Sequence, residues 1–197
     1  MIEENNQQQS LPPLNKKQQE TLLDIAQQTV ENYVRFGQVP NFEIKDERLW
    51  QPEGAFVTLY NHGQLRGCIG RVVSDQPLWQ TVRDVAVSAC SQDPRFQPIS
   101  PEELPELTYE VSVLSVPQEI DDWRKIELGK HGVIIQRGLN SGVFLPQVAE
   151  ETGWSLEEFL TQLCAGKAGL EPDCYKNPQT TIKVFTAQVF ERKPQRA

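Results

Sequence analysis

The chain has little of what many function classes require. Its 197 residues hold 19 Lys and Arg against 27 Asp and Glu, a formal charge of -8, and nucleic-acid binding draws most of its affinity from cations neutralising phosphates, so such a partner is not expected. Two histidines and four cysteines are present, with no CxxC pair and no Cys/His spacing of the kind zinc sites use, so neither a metal nor a cofactor is expected. No apolar run approaches the roughly 18 residues that span a bilayer, and the opening MIEENNQQQS lacks the charge and hydrophobicity of a signal peptide. The expectation is a cytoplasmic protein without a membrane partner, its Cys68, Cys90, Cys164 and Cys174 reduced and no structural disulfide among them. P-loop, GxGxxG, HExxH and GxSxG motifs are also missing, which leaves nucleotide-dependent, zincin and serine-hydrolase chemistry without local support.

What is present describes one α+β unit. At this length one core, or two small lobes sharing a core, is the expected solution. Residues 1–13, rich in Asn, Gln and Glu, offer nothing to bury and read as a disordered tail. Asn15 with Gln18 suits a capping box, and Leu22, Ile25, Ala26, Thr29, Val30, Tyr33 and Val34 recur at helical spacing behind it. GAFVTLY and QLRGCIGRVV flank a turn at Asn61-His62-Gly63, which predicts a β-hairpin with His62 exposed in its turn. A helix follows, capped by Asp75 or Gln76, with Leu78, Val82, Val85, Ala86 and Ala89 as its buried stripe and Asp93-Pro94 as its end. Ser100-Pro101-Glu102-Glu103 opens a short helical turn, and LTYEVSVLSV (107–116) reads as a strand.

The second half repeats this order. GVIIQR and GVFLPQV surround a turn placed at Asn140-Ser141-Gly142, Ser155 and Glu158 form a capping box with Trp154 and Phe159 as its hydrophobic staple, Gly166 or Gly169 ends that helix, and TTIKVFTAQVF closes as a strand before a tail at 191–197. Gly54 aligns with Gly132 and Gly63 with Gly142, which suits a duplicated β-β-α-β unit; two unrelated hairpins rich in β-branched residues and Gly would look the same.

The segment Leu65-Arg66-Gly67-Cys68-Ile69-Gly70 stands out because strands avoid Gly, and Gly67 and Gly70 here bracket a thiol. Strict alternation puts Arg66, Cys68 and Gly70 on one face, where a guanidinium favours a thiolate. The competing reading is a crowded core strand around a buried cysteine. His131 is either a base near Cys68 or a turn cap; Arg95 either recognises an anion or pairs with a neighbouring acid; Glu110 lies on a cleft or at the sheet's solvated end; Lys167 answers a helix dipole or a ligand.

The hexapeptide at 65–70 resembles the signature of the AmmeMemoRadiSam system protein A family, the AMMECR-type domain. Asp93-Pro94-Arg95-Phe96, Glu110-Val111-Ser112-Val113-Leu114, Gly129-Lys130-His131-Gly132, Phe144-Leu145-Pro146-Gln147-Val148 and Lys167-Ala168-Gly169-Leu170 match in the family's order, so the resemblance spans Leu14 to about Phe190. It implies an α+β fold of two lobes, mainly antiparallel sheet with packed helices, separated by a cleft. It also implies association with a radical S-adenosylmethionine protein and a Memo-like protein in a modification or redox pathway. One departure is Gly166 in Cys164-Ala165-Gly166-Lys167, a stretch the family keeps helical. Two functions compete: a binding or adaptor module whose cleft takes a small molecule or peptide, and an enzyme using Cys68 as activated nucleophile or redox group. The candidates are Cys68 and His131 for chemistry, and Arg66, Gly67, Gly70, Arg95, Glu110, Lys130 and Lys167 for binding.

Overall fold

The computed structural model describes residues 11–194; residues 1–10 and 195–197, which hold most of the expected N-terminal tail and the end of the C-terminal one, lie outside the described residues. Two four-stranded antiparallel sheets share the chain. The first takes β1 (Gly54–Asn61), β2 (Gln64–Arg71), β3 (Leu107–Leu114) and β8 (Ala187–Arg192), in the order β2-β1-β3-β8. The second takes β4 (Gln118–Ile120), β5 (Gly132–Arg137), β6 (Asn140–Phe144) and β7 (Thr181–Phe185), in the order β4-β7-β5-β6.

Both sheets are built the same way. A hairpin (β1-β2, β5-β6) is followed by helix, then by a strand that pairs antiparallel with the hairpin's first member (β3 on β1, β7 on β5). The fourth strand is exchanged. The segment leaving β3 becomes β4 beside β7, and the segment leaving β7 becomes β8 beside β3. The two crossing points are tied together: Ser115 N donates to Thr186 O at 2.9 Å and Thr186 N to Ser115 Oγ at 2.9 Å.

Period-two alternation decides which face of the first sheet is buried. Ala55, Val57 and Leu59 of β1 and Val111 of β3 are fully buried beneath α1 (Lys16–Phe36) and α2 (Leu78–Ser91). Each Val or Leu sealed there contributes about 1.5–3 kcal/mol. The intervening Phe56, Thr58, Tyr60, Glu110 and Ser112 face the other way, into a cleft. α1 has the expected capping box, with Gln18 N donating to Asn15 Oδ1 at 3.0 Å and Asn15 N to Gln18 Oε1 at 2.9 Å, and it ends at left-handed Gly37.

Several local expectations are corrected. Neither Asp75 nor Gln76 caps α2; the cap position is Pro77, which makes no side-chain cap bond, and the orphan Leu78 N–H donates to Gln51 O at 3.0 Å instead. The second hairpin turns at Gly138-Leu139, where Gly138 takes a positive φ of 61°, so Asn140-Ser141-Gly142 belongs to β6 and Gly142 is not the counterpart of Gly63. Strand β6 stops at Phe144, and Gln147–Thr152, which overlaps the expected strand GVFLPQV, forms helix α3. The helix α4 (Leu156–Gln162) begins at Ser155 with its capping box and passes into a π-turn over Leu163–Ala168. Left-handed Gly169, not Gly166, ends it.

Glycine equivalence between the halves lies elsewhere. A β-carbon at Gly67 would sit 2.1 Å from Ala89 O, and one at Gly142 2.7 Å from Ala168 N. In each hairpin the second strand thus carries a glycine against which the end of the following helix packs. β8 reaches Arg192, whose guanidinium binds Glu20 and Asp24 of α1, each at 2.7 Å.

The expectation of four reduced thiols fails. Cys164 and Cys174, both fully buried, form a disulfide with their Cα atoms 6.0 Å apart. The expectation rested on an assumed compartment and did not foresee proximity: the π-turn brings Cys164 against the short helical turn Cys174–Lys176, within the Cα separation that a disulfide needs.

Candidate functional site

The exposed face of the first sheet and one side of the second enclose a cleft of about 1070 Å³. On its floor, cross-strand pairing sets residues in rows. Cys68 on β2 pairs with Thr58 on β1, Thr58 with Glu110 on β3, and Glu110 with Glu191 on β8; in the next row Gly70, Phe56, Ser112 and Val189 follow one another. Opposite lie Val143, Phe144, Leu145, Pro146 and Val148, a largely apolar wall. Arg95, Lys130 and Lys167 line the cleft together with Glu110, Glu150 and Glu151, so both signs of charge are represented.

A bulge decides which part of the glycine-bracketed segment enters the cleft. The β1-β2 register shifts between Leu59 and Tyr60: Leu59 pairs with Gly67 and Tyr60 with Leu65, and Arg66 is the extra residue. Leu65 and Cys68 therefore both line the cleft, while Arg66 turns away. Its Nε and Nη2 donate to Glu103 at 2.6 and 3.0 Å, and Nη1 and Nη2 to the carbonyls of Gln97 and Pro98. The expected partnership of Arg66 with the thiol is overturned, because strict alternation does not survive an inserted residue.

Gly67 and Gly70 serve packing. Ala89 O occupies the space of a Gly67 side chain, and the Phe56 ring lies where a Gly70 β-carbon would be, 2.2 Å from Cγ. What approaches the strand closely is a helix and an aromatic ring.

The cation near Cys68 is Arg95, and a buried acid positions it. Cys68 sits on a strand edge, so its outward N–H and C=O need partners. Asp93 Oδ2 accepts from Cys68 N at 2.9 Å, and Arg95 Nη2 donates to Cys68 O at 3.3 Å. Asp93 holds Arg95 through Nε at 2.9 Å and Nη2 at 2.7 Å, and accepts its backbone N–H at 3.1 Å. These Arg95 hydrogen bonds, with the bond from Cys68 N, outweigh the raising effect of burial and hold the Asp93 carboxyl well below the usual carboxylate range. A depressed folded value contributes stability that is complete above the ordinary value of 3.8 and lost as pH falls below it toward the folded value. The stability difference between the wild type and Asp93→Asn is accordingly expected to shrink as pH drops from 4 to 2, read from urea midpoints; a difference constant across that range removes Asp93 from this role.

Burial pushes the Cys68 thiol above its ordinary value of 9.0, and Glu110 and Asp93 add to the rise, against lowering by a hydrogen bond from Thr58 Oγ1 at 3.2 Å and by Arg95. The expected acidic thiol is therefore corrected in sign. Glu110 is half-buried and also raised, first by burial and then by Glu191. Burial and Glu110 together push Tyr60 up to about 12.

His131 does not line the cleft. Its Nδ1 accepts from Glu127 N at 3.1 Å while its own N–H donates to Glu127 O at 2.9 Å, which makes it a turn cap. The neighbouring Lys130 does line the cleft and pairs with Glu127 at 2.8 Å.

A family model described as AMMECR1 matches residues 23–190. The chain belongs to the AMMECR1 family. It is 45% identical over 186 residues to a protein of Thermococcus gammatolerans, covering 88% of this chain and 90% of that one. It is 43% identical over 180 residues to a protein of Nanoarchaeum equitans, covering 86% and 98%. The crystal structure of an uncharacterized protein, PH0010, from Pyrococcus horikoshii superposes with a TM-score of 0.82 at 38% identity, covering 90% of this chain and 93% of that one.

Of the candidates in this AMMECR1 domain, Cys68, Arg95, Glu110, Lys130 and Lys167 converge on one cleft; Arg66, Gly67, Gly70 and His131 do not line it, and Gly70 lies against the Phe56 ring that does. Lys167 is carried there by the π-turn, its Nζ 5.9 Å from the centre of the Phe144 ring. Sequence reasoning missed Thr58 and Asp93. Asp93 left a trace, since Asp two residues before Arg suits an Asx turn. Thr58, one residue in a strand of alternating type, left none.

No helix among the described residues is long and apolar enough to cross a membrane, and no group of three or more metal-ligating side chains occurs among them.

Proposed function

We propose that this AMMECR1 domain is a binding module whose inter-sheet cleft accepts a ligand, with any covalent chemistry supplied by a partner. One observation carries the reading: an apolar wall faces a polar cross-strand row, Cys68-Thr58-Glu110-Glu191, across one cleft, and burial there disfavours the thiolate. Pockets of mainly apolar lining with a few convergent polar groups are how proteins fix the orientation of small ligands. A radical S-adenosylmethionine protein and a Memo-like protein, the partners implied by the family resemblance, belong to this proposal, as does a place in their modification or redox pathway.

The alternative, an enzyme with Cys68 as nucleophile, is favoured by the thiol facing the cleft within the field of Arg95. Burial outweighs that field, and without thiolate there is little nucleophile near neutral pH. Iodoacetamide labelling of Cys68 against pH, with Cys68→Ser as blank, separates the two. The binding reading expects a rate still climbing above pH 9, and a plateau near pH 7 sinks it. Co-purification with the two partners is expected to survive Cys68→Ser; association that depends on the thiol counts for the enzyme.

A further inference from the structure

Three charged groups of the cleft, Glu110, Arg95 and Lys167, keep polar atoms without a partner of opposite charge among the described residues. Glu110 stands half-buried on the floor; the hydroxyls of Thr58 and Tyr60 act on it as hydrogen-bonding groups, while the charged groups acting on it, Glu191 and Glu151, are themselves acids. Arg95 spends Nε and Nη2 on Asp93 and Cys68 O, and its Nη1 makes no hydrogen bond among the described residues. Lys167 stands over Phe144 with no acid paired to it among the described residues. A half-buried carboxylate without a cation calls for one, and a guanidinium edge and an ammonium lining the same cleft call for a carboxylate. We propose that the cleft binds a zwitterion, its ammonium on Glu110 and its carboxylate on Arg95 and Lys167.

The sheet sets the ligand's length. Glu110 and Cys68 lie two strand spacings apart, about 10 Å at ~4.8 Å each, and Arg95 reaches in from beyond Cys68. At roughly 3.3–3.6 Å per extended residue, that span suits a peptide of about three residues with both ends free. A single α-amino acid is too short. Phe56 and Phe144, on opposite walls, take the apolar body between the charges.

The inference rests on the binding reading, and the test separates their failures. The tripeptide Ala-Phe-Ala is titrated with free ends, N-acetylated, C-amidated and doubly blocked, by calorimetry and by amide NMR shifts at cleft residues. Free phenylalanine is the short control. Saturable binding of the free-ended form is expected, weakened at least tenfold by blocking either end. Glu110→Gln is expected to abolish the preference for a free amine, and Lys167→Gln, on an exposed turn, to reduce the preference for a free carboxylate. Equal binding of the doubly blocked peptide overturns the zwitterion and leaves the cleft a binding site. Phenylalanine binding as tightly as the tripeptide overturns the span. No shift at cleft residues from any of the five overturns both the zwitterion and the binding reading.

Discussion

Replacing Gly67 by alanine is expected to destabilise the fold by about 3 kcal/mol, at the upper end of what overpacking a core costs. The new β-carbon would lie 2.1 Å from Ala89 O, a backbone atom inside α2 that no rotamer change can move. Neither side can yield cheaply, because Gly67 is paired to Leu59 and α2 packs on both α1 and β1. Gly166→Ala is the contrasting substitution. Only Gln162 Oε1, at 3.8 Å, comes near its added methyl, and its φ is not positive, so it is expected to be neutral or to stabilise by about 0.4–1 kcal/mol through the unfolded chain. Urea unfolding with an unchanged m-value reads both. A Gly67→Ala protein within 0.5 kcal/mol of wild type would mean that α2 does not press on the strand.

The Gly67 substitution bears on the site as well as on stability. Gly67 stands between the bulged Arg66 and Cys68, and pushing α2 away disturbs the Asp93 bond to Cys68 N, since Asp93 lies two residues past the end of that helix. Packing glycine and cleft geometry are one mechanical unit: the helix can only present Asp93 and Arg95 to the strand edge if it lies close enough to need a glycine beneath it.

Local signals were legible where a single element carries them. The capping boxes at Asn15 and Ser155, the turn at His62-Gly63 and the stripe of α1 depend on residues within a few positions of one another, and each forms as the spacing predicts. The face of Arg66 was not legible. Alternation is a running count, and one inserted residue at a bulge moves it to the other side while leaving Leu65 and Cys68 together. The second hairpin turn failed for a related reason. Gly138-Leu139 and Asn140-Ser141-Gly142 are both acceptable turn chemistry, and pairing with β7 and the press of Ala168 on Gly142 decide between them. Five of the nine candidates line the cleft, of which Glu110 follows strand alternation while Arg95, Lys130 and Lys167 are brought in by turns; Thr58 and the clasp of Asp93 on Cys68 depend on contacts between elements far apart in the chain.

The disulfide is the contact between elements with the largest consequence for stability. Cys164 and Cys174 close a loop of sequence separation 10, for which the chain-entropy model gives roughly 2–3 kcal/mol. Removing it in the Cys164→Ala, Cys174→Ala double variant is expected to lower Tm by about 5–10 °C at ~2–4 °C per kcal/mol for a chain of this size. The bond also anchors the π-turn that presents Lys167 to the cleft and abuts Gly142, so amide exchange over 163–170 is expected to accelerate more than exchange in α1. Thiol counting in denaturant without reductant gives the decisive number: Cys68 and Cys90 are the free pair, so two reactive thiols are expected, and four would mean that the π-turn is held by packing alone. If the double variant keeps its Tm while two thiols are counted in the wild type, the bond forms but does not restrain the unfolded chain. Lys167 would then owe its position to the buried Leu163 and Ala168 that flank the turn.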